Sequence, residues 1–80
     1  MEVQLLRADG APAADALVAV ADAPVAMPDL GLVADAEGCV SIEVPVAGRY
    51  VLSVFSDGRE QRLACDLAPG RGRRLLRLPG

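Results

Sequence analysis

The sequence contains no histidine, lysine, asparagine, threonine or tryptophan among its 80 residues. Without histidine it has neither a Ser–His–Asp triad nor a Cys–His pair, which removes the common routes to nucleophilic catalysis. Its two cysteines are too few soft ligands for an ordinary zinc site. We therefore expect a protein that is not an enzyme and that needs no metal or other cofactor.

Aromatic residues are also scarce, since Tyr50 and Phe55 are the only two. Hydrophobic residues nevertheless make up 52% of the chain, so one ordered domain over residues 1–80 with a tight, small-residue core is expected. No apolar run approaches the roughly 20 residues of a membrane span, and no secretory leader is recognisable. These features predict a cytoplasmic protein without a membrane span.

Charge is unevenly distributed along the chain, whose formal net charge is −3. Residues 1–43 hold eight acidic side chains against Arg7 alone, whereas residues 44–80 hold seven arginines against three acidic side chains. In a fold that interleaves the two halves, the acids would lie beside the arginines. Because the total is acidic and no stacking aromatics accompany the arginines, nucleic-acid binding is not expected.

Hydrophobic residues alternate with polar ones along several short segments, which is the pattern of half-buried strands. The core-facing residues predicted from this alternation are Val3, Leu5, Ala16, Val18, Val20, Val40, Ile42, Val44, Tyr50, Leu52, Val54, Leu63, Cys65, Leu67, Leu76 and Leu78. The same alternation places Cys39 on the face opposite Val40, so Cys39 and Cys65 should not form a disulfide. Two free thiols indicate a reducing compartment.

Turn sequences separate these segments at the spacing of an all-β sandwich. They are Asp9-Gly10, Glu37-Gly38, Ala47-Gly48, Asp57-Gly58 and Pro69-Gly70. The Asp57-Gly58 turn predicts a hairpin, because both residues tolerate a positive φ. Residues 22–34 contain two prolines and are predicted to form a crossover loop, with Leu32 and Val33 as a short edge strand.

Three segments resemble carboxypeptidase-regulatory-like domains, which are related in fold to transthyretin-like (prealbumin-like) and Cna B-type modules. They are DGAPAADALVAV, ADAEGCVSIEVPVAGRYVLSVFSDG and DLAPGRGRRLLRLPG, and the resemblance covers about residues 3–78. It implies an all-β, mostly antiparallel sandwich of about seven strands with Greek-key-like topology. Related hydroxyisourate hydrolases depend on histidine, and Cna B-type crosslinks join lysine to asparagine, so neither chemistry carries over to this chain.

Charged residues outside the predicted core have two interpretations each. Asp35 and Glu37, with Asp29 from the crossover loop, offer oxygen ligands for Ca²⁺, but an ordinary polar turn in which Asp35 accepts backbone N–H bonds is favoured. The four arginines of the last segment could bind an anion or could protect the final strand from edge pairing, and protection is favoured. These arginines are Arg71, Arg73, Arg74 and Arg77.

Apolar residues that the alternation directs away from the core are candidates for partner binding. If exposed together they would form an interaction surface, with Phe55 as its anchor. Alternatively, the crossover loop covers Phe55, with Met27 or Leu30 as its lid. The predicted partner-binding residues are Phe55, Val51, Leu17, Leu6, Arg73 and Arg77.

Two function hypotheses follow from these surfaces. The first is a non-catalytic protein–protein interaction or scaffold module, an accessory subunit that acts with a partner protein encoded elsewhere or that forms homo-oligomers. The second is a carbohydrate-binding β-sandwich module. It is disfavoured because sugar platforms use exposed aromatics and only Phe55 is available.

Overall fold

The computed structural model describes residues 1–27 and 31–79, in which the chain forms seven strands and no helix. The strands are β1 (Glu2–Leu6), β2 (Leu17–Asp22), β3 (Leu32–Val33), β4 (Cys39–Ser41), β5 (Gly48–Ser56), β6 (Arg59–Leu67) and β7 (Arg73–Arg77). Nothing helical in this part of the chain could therefore cross a membrane.

The strands form a three-stranded sheet in the order β4–β1–β7 and a four-stranded sheet in the order β3–β2–β5–β6. Neighbouring strands are antiparallel except β1 and β7, which run parallel. The chain repeatedly passes from one sheet to the other, so β1 lies between two strands that are distant in sequence. The prediction of a small, mostly antiparallel β-sandwich of about seven strands is confirmed.

The core between the sheets contains the alternating residues that the sequence indicated. All of the predicted core-facing residues are buried, except Val20, Leu63 and Leu76, which are half-buried against the core. Tyr50 is its largest fully buried side chain, and its hydroxyl donates a 2.7 Å hydrogen bond to the Val46 carbonyl. That bond satisfies the one polar atom that the ring brings into an otherwise apolar interior.

The turns also follow the sequence. β5 and β6 are joined by the two residues Asp57 and Gly58, with φ of 54° and 74°, which is the positive-φ pair of a type I′ hairpin. β3 pairs with β2 at one edge of its sheet, so the short edge strand at residues 32–33 is confirmed. Residues 28–30 of the predicted crossover loop lie outside the described residues.

Gly38 lies where the chain enters β4 and approaches the β1 backbone closely. Its φ is +79°, and a Cβ placed there would lie 2.3 Å from the Leu5 carbonyl oxygen. The Leu5 amide donates to the Gly38 carbonyl at 2.8 Å, and the Leu5 carbonyl accepts from the Ala13 amide at 2.9 Å. The Leu5 carbonyl is thus held in place, and only glycine fits beside it.

Gly38→Ala should lower the free energy of unfolding far more than Gly58→Ala. Both changes force alanine into a positive φ, which costs about 1–2 kcal/mol. Only at Gly38 does the new methyl also meet a fixed carbonyl, which should raise the total to about 3 kcal/mol or more. Urea denaturation followed by circular dichroism measures the difference, and equal losses in the two variants would contradict the close approach.

Candidate functional site

The outer face of the four-stranded sheet carries three adjacent apolar side chains. Val33 on β3 is directly opposite Leu17 on β2, and Leu17 is directly opposite Phe55 on β5. Their exposed fractions are 62%, 50% and 48%. Side chains directly opposite each other on one sheet face contact each other, so we refer to Val33, Leu17 and Phe55 as the apolar row.

The apolar row ends in charge on one side. Beyond Phe55 the next residue across the sheet is Glu60 on β6, and Glu60 lies 3.7 Å from Arg62 in an exposed ion pair. Val51 shares the outer face of β5 with Phe55 but is half-buried and lies opposite Ala64, four residues along the strand. The row is therefore a short apolar strip with a polar margin at β6.

The predicted lid over Phe55 is not formed by Met27. Met27 packs against the core, where it lines a cavity of about 480 Å³ together with Val20, Leu32 and Ile42. Phe55 does not line this cavity, and its ring projects from the outer face of the four-stranded sheet. The other proposed lid residue, Leu30, lies outside the described residues.

The remaining predicted partner-binding residues lie on the other sheet. Leu6, Arg73 and Arg77 belong to β1 and β7, and Leu6 is half-buried opposite Arg77. Leu75, between the two arginines, is 60% exposed. The structure thus brings Leu17 beside Phe55, but it places Leu6 and both arginines on the opposite outer face of the sandwich.

Both arginines are already engaged within the chain. Arg73 donates to the Glu2 carboxylate, with a distance of 3.1 Å from its Nε, and Arg77 Nε donates to the Ala8 carbonyl at 2.9 Å. Another ion pair joins Arg7 and Asp57 at 3.2 Å. The expectation that interleaving would bring acids of the first half beside arginines of the second is met at Glu2 and Arg73.

The ion pair on the three-stranded sheet shifts the titration of its carboxylate. The hydrogen bond from Arg73, and then its positive charge, hold the pKa of Glu2 below the usual 4.5. The same hydrogen bond, and then the negative charge of Glu2, raise the pKa of Arg73. A carboxyl whose pKa is lower in the folded state stabilises the fold at pH values above its unfolded pKa. That contribution disappears as the pH falls through the lowered value.

Glu2→Gln should therefore remove one pH-dependent component of stability. Between pH 7 and about 5.5 the variant should be less stable than the parent chain by a constant amount, and the difference should shrink as the pH falls further through the unfolded and then the folded pKa. Guanidinium would screen the pair, so urea denaturation at low salt, from pH 7 to pH 2.5, is the suitable measurement. A difference that stays the same at pH 2.5 would contradict the ion-pair assignment.

Cys39 and Cys65 are free thiols in separate parts of the sandwich. Cys39 is opposite Gln4 on the three-stranded sheet, and Cys65 is opposite Tyr50 on the inner face of the four-stranded sheet. Cys39 faces away from Val40, as predicted, yet only 9% of it is exposed. Burial raises the pKa of both thiols, and the Glu2 carboxylate raises that of Cys39 further.

Both thiols should react slowly with a thiol reagent in the folded protein. At pH 8 in urea, where the chain is unfolded, modification should be fast, because the thiolate fraction is that of an exposed cysteine. In the native state Cys65 should react only through unfolding, slower by on the order of 10³. The Cys39→Ala and Cys65→Ala variants assign each rate, and fast native labelling of Cys65 would contradict its burial.

The acidic turn before β4 is organised by backbone hydrogen bonds. The Asp35 Oδ1 atom accepts from the amides of Glu37 and Cys39, both at 2.9 Å. Glu37 is exposed, and Asp29, the third ligand of the Ca²⁺ interpretation, lies outside the described residues. Within residues 1–27 and 31–79, no three potential ligands come together in a way that could hold a metal ion.

Sequence reasoning missed two features of these surfaces. Val33 was expected in an edge strand, but its place beside Leu17 depends on the register between β2 and β3. Leu75 was not considered, although the spacing Arg73-x-Leu75-x-Arg77 puts it on the same face as the arginines.

No protein-family model matches this chain, and a search of curated proteins finds no match either.

Proposed function

We propose that this chain is a non-catalytic interaction module that binds a partner protein through the apolar row. The observation that carries the proposal is that Val33, Leu17 and Phe55 are neighbours across three strands while each is about half exposed. Contiguous apolar surface of this kind is typical of interaction sites. The partner should present apolar side chains to the row and polar ones to the charged margin at β6.

Phe55 is the proposed anchor of this contact. It is the largest of the three side chains in the row, and its backbone is paired with β2 on one side and with β6 on the other, so little order is lost on binding. A few well-packed anchor residues contribute most of the binding free energy of an interface. Glu60 and Arg62 would lie at the rim, where charges influence orientation more than affinity.

The order of strands and turns supports relationship to carboxypeptidase-regulatory-like domains as a further part of the proposal. The positive-φ glycines at 10, 38, 58 and 70 fall between strands, as in the segments that carry the resemblance. The fold itself assigns no activity, so the proposed function depends on the surface residues alone.

Two unpaired thiols support the proposed cytoplasmic location.

Carbohydrate binding is the alternative function, and the exposure of the Phe55 ring is the observation that favours it. Its exposed ring offers one stacking platform, with Ser53 on the same face of β5. The other aromatic residue, Tyr50, is fully buried in the core. A single ring is a poor sugar site, and the chain has no tryptophan to provide a second stacking platform, so protein binding is preferred.

Phe55→Ser should abolish partner capture while Leu75→Ser leaves it intact. Leu75 is a matched control, because it is an exposed apolar residue in a strand but lies on the opposite sheet. Loss of the aromatic anchor should weaken binding by about 2 kcal/mol or more, which is at least about 30-fold. The parent chain and both variants are immobilised and incubated with cell extract, and the captured proteins are quantified by mass spectrometry. Circular dichroism confirms that both variants fold.

Equal loss in both variants, or no protein that depends on Phe55, would overturn the proposed surface. Retention of the parent chain on a polysaccharide resin, with loss in Phe55→Ser, would instead support the carbohydrate-binding alternative.

A further inference from the structure

The edge strand β6 differs from the other sheet edges in the part of the chain that the structure describes. β3 and β4 are edges of only two and three residues, and β7 has five. β6 has nine, with no proline and no bulge in its pairing with β5. A long, regular edge is a ready template for another strand unless something protects it.

The register shows which backbone groups β6 leaves free. The two-residue turn makes Ser56 and Arg59 a hydrogen-bonded pair, after which bonded and non-bonded pairs alternate along the hairpin. The amides and carbonyls of 60, 62, 64 and 66 therefore point away from β5, toward the open edge. The side chains at these positions are all exposed on the outer face.

The charges at these four positions allow opposite charges to meet when two copies of the strand pair in an antiparallel arrangement. The residues are Glu60, Arg62, Ala64 and Asp66. We propose that two copies of this chain associate by antiparallel pairing of their β6 strands, with Ala64 opposite Ala64 at the two-fold axis. In that register Arg62 of each copy lies directly opposite Asp66 of the other, which gives two opposite-charge pairs on the outer face.

Neighbouring registers lack this complementarity. Centring the pair on Leu63 puts Glu60 opposite Asp66, and centring it on Arg62 puts two arginines opposite each other. Like charges directly opposite are destabilising. Centring the pair on Cys65 puts Arg62 opposite Ala68 and Asp66 opposite Ala64, so no charges are paired. Opposite charges therefore meet in the Ala64-centred register alone among these four, and the side chain at its axis is small.

The same register also places apolar residues of the two copies opposite each other on the inner face of β6. Leu63 is half-buried at the edge of the core, whereas Cys65 is buried. Pairing about Ala64 places Leu63 of one copy opposite Cys65 of the other, so the apolar inner face continues from sheet to sheet. The three pairs formed by residues 62, 64 and 66 would each exchange two backbone hydrogen bonds.

β7 shows what a protected edge looks like in this fold. The Glu2 amide donates to the Gly72 carbonyl and the Leu78 amide donates to the Leu6 carbonyl, so the alternate groups at Arg73, Leu75 and Arg77 face the open edge. Self-pairing about Leu75 would set Arg73 against Arg77. Like charge therefore opposes pairing at β7, while the charges of β6 favour it.

A contact along one strand is small, so the dimer should be weak, with a dissociation constant on the order of micromolar. Sedimentation equilibrium and light scattering from about 1 μM to 1 mM should show a reversible monomer–dimer transition. Arg62→Asp would create two like-charge pairs and should abolish it. The double variant Arg62→Asp with Asp66→Arg restores opposite charges and should recover the dimer.

Arg71→Asp is the matched control, because it makes the same charge change in an exposed residue outside β6. Ala64→Pro provides an independent test. It removes an amide hydrogen that faces the open edge and leaves the bonds to β5, so the fold should persist as a monomer. In the parent chain, hydrogen exchange at the amides of 62, 64 and 66 should slow as the protein concentration rises.

These measurements distinguish dimerisation through the β6 edge from dimerisation through the apolar row. The edge proposal requires that Phe55→Ser still dimerises and that Arg62→Asp does not. A parent chain that stays monomeric at 1 mM overturns it, as does a dimer lost in Phe55→Ser but kept in Arg62→Asp. Partner capture through Phe55 is measured separately and survives either result.

Discussion

The packing of every second side chain into a single layer between two sheets is the constraint on which the rest of this structure depends. Tyr50, Leu52 and Val54 face the core, so Val51 and Phe55 on the same strand must face outward. A shift of one residue in register would bury the ring of Phe55 and expose that of Tyr50. The position of each surface feature is therefore a consequence of how the core is filled.

The composition of the core also bears on where the proposed recognition takes place. It contains no buried charged or polar side chain among the described residues, and its one hydroxyl is satisfied by the Val46 carbonyl. Polar side chains that line a pocket lie at the surface instead, as beside the β5–β6 turn, where Arg7, Asp9 and Arg59 line a pocket of about 300 Å³. The recognition that we propose accordingly uses the outer faces and edges, where side chains and strand backbones meet solvent.

The alternation in the sequence was sufficient to predict most strands and the core residues, and the turn and proline residues predicted the Asp57-Gly58 hairpin and the edge strand at 32–33. Beyond that hairpin, the pattern could not predict which strands are neighbours, because a period of two determines the face of a residue and says nothing about its sheet. Leu6 and Leu17 both face outward, yet they lie on opposite sides of the sandwich. The parallel pairing of β1 with β7 and the apolar row depend on contacts distant in sequence, which local pattern does not encode.

Edge pairing and the apolar row would act together in a dimer. Antiparallel strands joined at a two-fold axis normal to the sheet keep their outer faces on the same side, so both apolar rows would face one partner surface. Three strand spacings separate the two Phe55 side chains laterally, and eight residues separate them along the strands, which places them roughly 30 Å apart. A partner that reaches both rows would bind with an effective concentration far above that of one site, even though each row is small. A weak dimer is then an advantage, since a bivalent partner would itself stabilise the assembly that it recognises.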